Sequence, residues 1–318
     1  MSISFLKKYS PNKLEDFLLK PDIIFFLHKL IESDNMNIII HGSCGIGKTT
    51  LINKCIQIYY NGIDNIENNI MNINCLKEQG IQFYRNEVKI FCQTKANILK
   101  KKKILILDDF DNVNEQSQQI FRNYLDKYNN NVMFICSCNN LNKINDNFLS
   151  RIFVIKFNIL NNDYLLKIFN KIVKQEQLQI EKSVENKFIL LANNSIRNLI
   201  NNLEKIKLYS GKINSKNIYS VCSNINYDLF DQYTECILNN KMSDSVSKIY
   251  EVYNSGYSII DIFYFYFIYI KLSDKIDENN KFKIIKVLCK YIALINNNYE
   301  DDIELVLFSK NLIQTVRI

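Results

Sequence analysis

The chain has 318 residues, 47% apolar and 23% charged, enough for two or three domains with cores of their own. Lys and Arg outnumber Asp and Glu by 40 to 33, a formal charge of +7, which permits a polyanionic partner without requiring one. Nine Cys lie scattered with no Cys-x-x-Cys pair and only two His beside them. That pattern argues against a structural zinc site and fits free thiols in a reducing compartment. The N-terminus lacks the charged-then-apolar segment of a secretion signal. The greasiest stretch, Ile259 to Leu272, is shorter than the roughly 20 residues of a membrane span and contains Asp261. A buried helix in a soluble protein without a membrane partner is expected.

In chain order, the apolar run from Met36 to Ile40 reads as a buried strand. Directly after it come Gly42, Ser43, Cys44, Gly45, Ile46, Gly47, Lys48 and Thr49, a complete phosphate-binding loop. The stretch from Thr50 to Ile56 then has helical spacing with one apolar face. Glycines let the backbone wrap phosphate closely, and the helix N-terminus adds its positive end. Lys48 is placed to reach the β- and γ-phosphates, and the Thr49 hydroxyl to ligate Mg²⁺. With Thr50 completing the nucleotide-binding run, the expected ligands are ATP and Mg²⁺.

The acidic half of such a site follows in Lys103-Ile104-Leu105-Ile106-Leu107-Asp108-Asp109. Four consecutive apolar residues predict a central strand covered on both faces. Asp108 is placed for the Mg²⁺ shell, and Asp109 to orient or deprotonate the attacking water. Most ATPases of this type carry Glu where Asp109 stands. Asp is one methylene shorter, which leaves room for slow or absent hydrolysis while binding persists.

Val132 to Ser137 reads as another buried strand, ending in Cys138-Asn139, and Phe153 to Phe157 as a short edge strand. Strands alternating with helices around a nucleotide loop predict a parallel sheet with helices on both faces. From Asp163 onward strand signals vanish, and helical periodicity runs through Tyr164 to Val173, Phe188 to Leu191, Ile196 to Leu203 and Tyr227 to Ile318. The Lys100 to Lys103 run reads as solvated filler before the Asp108 strand rather than as a DNA patch.

These segments resemble one family, the small subunits of replication factor C, the sliding-clamp loaders within the AAA+ ATPases. The likeness covers nearly the whole length. It begins with Leu6-Lys7-Lys8-Tyr9-Ser10-Pro11 and Leu14-Glu15-Asp16-Phe17, similar to the family's Glu-Lys-Tyr-Arg-Pro opening. Gly80 to Phe91 resembles the family helix that faces DNA, and Ser137-Cys138-Asn139 the sensor-1 tripeptide. Ser150-Arg151 resembles the Ser-Arg-Cys signature, with Ile152 in place of its Cys. Ser195-Ile196-Arg197-Asn198-Leu199 is similar to the sensor-2 segment, and Ser255-Gly256-Tyr257-Ser258 to a piece of the C-terminal collar.

The resemblance implies an α/β AAA+ P-loop core over 1–158, a small helical lid over 159–223 and an all-helical collar over 224–318. It implies that Asn139 and Arg197 contact the γ-phosphate, and that Arg151 is an arginine finger acting in trans on a neighbour's nucleotide. It implies DNA backbone contacts at Arg85 and Lys89, four apart and so on one helix face. The implied activity is ATP-dependent loading of a sliding clamp onto primer-template DNA, by a hetero-pentamer of loader subunits. Two rivals stay open: a structural subunit that binds ATP but hydrolyses it weakly, and another AAA+ machine such as a helicase loader or Holliday-junction motor. The expected setting is intracellular, in the nucleus or a viral replication factory, otherwise in the cytoplasm.

Overall fold

The computed structural model describes residues 4–317 apart from 18, 64–65, 78–79, 99, 158–160, 182–183, 210, 215–216, 223–224, 226, 274–275 and 298–299. The domain limits predicted at 158/159 and 223/224 fall outside the described residues. Two units are present, Met1–Asn214 and Ser215–Ile318.

The first unit opens with α1 (Phe5–Lys8) and α2 (Pro21–Glu32), then alternates strands and helices. These are β1 (Ile38–His41), α3 (Lys48–Tyr60), β2 (Ile70–Asn74), α4 (Ile81–Gln93), β3 (Lys103–Asp108), α5 (Glu115–Tyr128), β4 (Val132–Cys138), α6 (Asp146–Leu149) and β5 (Phe153–Lys156). The five strands form one sheet in the order β2-β3-β4-β1-β5, and every pairing is parallel. All seven residues of β4 and the first five of β3 are buried, as expected of apolar runs covered on both faces.

Both edge strands are more polar or more exposed. Only Ile155 is buried in β5, matching its predicted edge position. In β2 only Ile73 is buried, with Asn72 and Asn74 facing away from the core. That alternation with Asn hides β2 in the sequence. Helix α3 buries Leu51, Ile52, Cys55, Ile56, Tyr59 and Tyr60 along one stripe, and removing such apolar surface from water stabilises by about 1.5–3 kcal/mol per large side chain.

The lysine run is not plain filler. Lys103 starts β3 and is buried, its ammonium hydrogen-bonded to the Phe91 carbonyl and Thr94 hydroxyl. The Lys102 amide donates to the Tyr59 hydroxyl at 2.8 Å, and the Lys102 carbonyl accepts from Tyr60 at 2.9 Å. Lys101 lies over the Tyr59 ring, 4.2 Å from its centroid. Lys101 and Lys102 dock the loop on α3, and Lys103 ties it to the end of α4.

The unit continues in helices α7 (Asn162–Glu176), α8 (Glu185–Ala192) and α9 (Ile196–Tyr209). Leu165, Phe169 and Ile172 of α7, Phe188 of α8, and Leu199 and Leu203 of α9 are all buried. The ring centroids of Phe169 and Phe188 are 5.3 Å apart, within the range favoured by aromatic pairs.

The second unit is helical: α10 (Ile218–Cys222), α11 (Tyr227–Leu238), α12 (Met242–Asn254), α13 (Ile259–Leu272), α14 (Glu278–Asn297) and α15 (Ile303–Arg317). The greasy stretch is α13, which buries Ile259, Ile262, Phe263, Tyr266 and Ile270 and leaves Tyr264 half exposed. Its aromatic core includes Phe230, Tyr233, Phe263, Tyr266 and Phe308. Buried hydroxyls find partners there: Tyr233 pairs with Ser309 at 2.9 Å and Thr234 with Tyr266 at 3.2 Å, which avoids the cost of an unmade hydrogen bond. Among the described residues, no helix is long and apolar enough to cross a membrane.

Candidate nucleotide site

The sheet brings the carboxyl ends of β1, β3 and β4 side by side, where open α/β sheets place their ligands. The loop from Gly42 leaves β1 there and enters α3. Its backbone needs glycine at two left-handed positions, Gly45 at φ +75° and Gly47 at φ +104°, where side chains are strained. Gly42 serves another purpose, since a Cβ on it would stand 2.3 Å from Ile46 Cδ1.

Lys48 is only 7% exposed. Its ammonium donates to the carbonyls of Gly42 at 2.8 Å and Ser43 at 3.0 Å, and to Asn139 Oδ1 at 2.7 Å. Burial pulls its pKa down, while Asp109, Cys44, Cys138 and Asp108 push it back up. The Asn139 amide in turn donates from Nδ2 to Asp109 Oδ1 at 3.0 Å. Asn139 therefore links the loop lysine to the acid predicted to handle water.

The Thr49 hydroxyl lies 3.4 Å from both oxygens of Asp108. A hydroxyl and a carboxylate side by side are the hard oxygen donors that Mg²⁺ takes from protein, leaving other positions for phosphate and water. The residues fit the ion. No separate cluster of metal-ligating His, Cys, Asp and Glu exists among the described residues.

Two positioning residues carry no role in the sequence reading. Ser137, fully buried on β4, donates to Asp108 Oδ1 and accepts from the Asp109 amide at 2.9 Å. It fixes both acids at once, and Asp109 sits in left-handed backbone at φ 55°. Asp111 accepts from the amides of Asn139 and Asn140, each at 3.2 Å, and so holds the turn that aims Asn139. Their signals were the serine inside Ser137-Cys138-Asn139 and a third acid after β3. Neither identifies its partner.

From the helical side, the Arg197 amide donates to the Gly45 carbonyl at 3.2 Å. A Cβ on Gly45 would stand 2.1 Å from Ser195 Oγ, so α9 starts hard against the loop. A cleft of about 90 Å³ is lined by Cys44, Lys48, Thr49, Asp108, Asp109, Asn139 and Arg197 among others. It gathers most of the residues predicted from sequence. Gly45, Gly47 and Thr50 also border a larger pocket of about 490 Å³, enclosed by the N-terminal segment and by α7 and α9.

Three predicted residues lie elsewhere. Arg151 is not part of the cleft lining; its guanidinium binds Asp126 Oδ1 at 2.7 Å and the Asn147 carbonyl at 2.7 Å. Arg85 and Lys89 are exposed on α4, opposite the buried Tyr84, Val88 and Cys92.

A glycine loop between strand and helix, with a pair of acids and an Asn at the neighbouring strand ends, is the arrangement of a nucleoside-triphosphate site. Residues 38–159, within the first unit, match the family described as "ATPase family associated with various cellular activities (AAA)". Over most of its length the chain is similar to replication factor C small subunits. It is 27% identical over 289 residues to replication factor C subunit 4 of Saccharomyces cerevisiae, covering 90% of this chain and 88% of that one. It is 28% identical over 253 residues to the replication factor C small subunit of Methanococcus vannielii, covering 79% and 80%. Among solved structures, the Thermotoga maritima RuvB Holliday junction branch migration motor is similar at a TM-score of 0.52 and 13% identity, over 74% of this chain and 80% of that one. That likeness is one of fold.

Proposed function

We propose that the protein is an ATP-driven clamp-loader small subunit that acts in DNA replication. The observation that carries this reading is the hydrogen-bonded chain Lys48–Asn139–Asp109 across three strand ends, in a chain homologous to replication factor C subunits. Lys48 exchanges its two carbonyl partners for phosphate oxygens when ATP enters. Thr49 and Asp108 would hold Mg²⁺, which would supply charge neutralisation to the bound phosphates. Asp109 orients the attacking water, and Asn139 reports on the γ-phosphate through its bonds to both neighbours. Arg197 adds a guanidinium from the lid, and the base and ribose occupy the 490 Å³ pocket beside Gly45 and Gly47.

The domain division is a core, a lid and a collar, the last assembling the chain into a hetero-pentamer. Arg151 completes a neighbour's site in trans. Arg85 and Lys89 meet the phosphates of primer-template DNA in a sequence-blind, salt-dependent way. The site of action is intracellular, wherever DNA is being replicated. ATPase activity of the co-expressed complex, with and without primed DNA and its clamp, tests this. Stimulation by both is expected; tight ATP binding with no stimulation by either sinks the loader reading.

One observation favours attenuated hydrolysis at this chain's own site. Asp109 is short, and its Oδ1 is already occupied by Asn139. Asp109→Glu extends the carboxylate by one methylene toward water. Turnover of the assembled complex should rise several-fold, by about 3- to 10-fold for a gain near 1 kcal/mol. Unchanged or lower turnover means that Asp109 is already well placed.

A further inference from the structure

We propose that Glu176 is a positioning residue for nucleotide binding: it fastens the N-terminal segment to the helical lid beside the 490 Å³ pocket, and so sets how long ATP stays bound. The proposal rests on the reading that ATP occupies the Gly42–Thr50 loop and the adjoining pocket.

Glu176 is the last residue of α7, and its side chain is 3% exposed. Its Oε1 accepts from the Lys8 ammonium at 2.5 Å and from the Tyr9 hydroxyl at 2.6 Å. Its Oε2 accepts from Lys207 of α9. One carboxylate thus joins three pieces of chain, from α1, α7 and α9. The hydrogen bonds from Lys207, Lys8 and Tyr9 hold its pKa down from 4.5 to about 2, so it is charged across the working range.

A second acid repeats the device. Glu204 on α9 accepts from the Phe5 amide at 3.2 Å and from the Ser4 hydroxyl at 3.4 Å. Two lid helices therefore hold one short N-terminal helix, and Phe5 is buried between these ties.

The held segment forms a wall of the pocket. Leu6, Lys8, Tyr9, Ser10 and Pro11 line it, and the loop glycines Gly45 and Gly47 border it. A helix of four residues has no stability of its own, so α1 depends on its ties to α7 and α9 and on the burial of Phe5. A pocket whose wall is held part of the time binds in proportion to that fraction. The phosphate loop does not lean on this wall: Lys48 is held by the Gly42 and Ser43 carbonyls and Asn139, and the loop backbone by the sheet, α3 and the start of α9.

The test uses the full chain, with ATP and inorganic tripolyphosphate as paired probes. Tripolyphosphate engages the loop and the Arg197 guanidinium in the small cleft, whereas ATP also fills the larger pocket. Glu176→Gln keeps the shape and removes the charge. It should speed ATP release about tenfold while changing tripolyphosphate affinity less than about twofold. Lys8→Met loosens only the N-terminal side of the tie, and should give the same split at smaller size if Glu176→Gln folds poorly. Unchanged ATP release, or equal losses for both probes, overturns the proposal, since equal losses would mean general damage to the loop. A wild-type chain that binds neither probe overturns the nucleotide reading itself, and this inference with it.

Discussion

Replacing Lys48 with Ala is expected to abolish productive ATP binding and to reduce turnover of the assembled complex by about 10²- to 10³-fold, the loss typical of removing one preorganised electrostatic stabiliser. Lys48 brings a buried positive charge to the point where the loop glycines and the start of α3 converge. Its proton donors go to two loop carbonyls and Asn139, contacts that a phosphate would replace at little cost. Burial pulls the ammonium's pKa down, and Asp109 and Asp108 counter it. Stability should change little, because removing the lysine also removes the desolvation cost of its charge. The two readouts must therefore separate: calorimetric ATP affinity collapses while the melting temperature stays within a few degrees. Retained ATP affinity in a folded Lys48→Ala chain would end the nucleotide-site reading.

The second large effect belongs to Arg151. Alanine there should lower ATP turnover of the assembled complex by about 10³-fold or more, the range associated with arginine fingers. The chain's own ATP affinity should be unchanged, because Arg151 lies outside its own cleft lining. Its guanidinium is now paired with Asp126, which is 49% exposed. An exposed pair of this kind is worth only about 0.2–1 kcal/mol, small enough to be exchanged for a neighbour's phosphate. The bonds to Asn147 and Ser150 hold the guanidinium near the turn after α6. Single-turnover hydrolysis in mixed complexes checks the assignment. Rescue by a wild-type neighbour donating to the mutant chain's site should fail to restore the site that the mutant itself faces. If instead the defect follows the mutant's own nucleotide, Arg151 acts in cis and the finger reading is wrong.

Much of the site was legible because its residues announce themselves in order. Gly42 to Thr49 between an apolar run and a helical stripe predict a tight strand-to-helix turn through backbone needs alone, and Gly45 and Gly47 are left-handed in it. The β3 and β4 runs were legible because strands covered on both faces must be continuously apolar. Edge strand β2 was not, because a half-buried strand tolerates Asn at every outward position. The lysine run misled in part. Charge alone suggests solvent, yet Lys103 is buried and Lys102 docks on two tyrosines.

The sequence by itself determined the class of chemistry and the α/β-then-helical order of the chain, since loop glycines, apolar runs and helical periodicity are local properties of neighbouring residues. Only the tertiary structure decided which distant side chains meet. Ser137 reaches Asp108 across 29 positions, Asn139 reaches Lys48 across 91, and Glu176 reaches Lys8 across 168. Such meetings depend on strand order and on how helices pack against the sheet, which no short stretch of residues encodes. A Ser, an Asn or a Glu looks the same in sequence whether it faces water or bridges two charged groups.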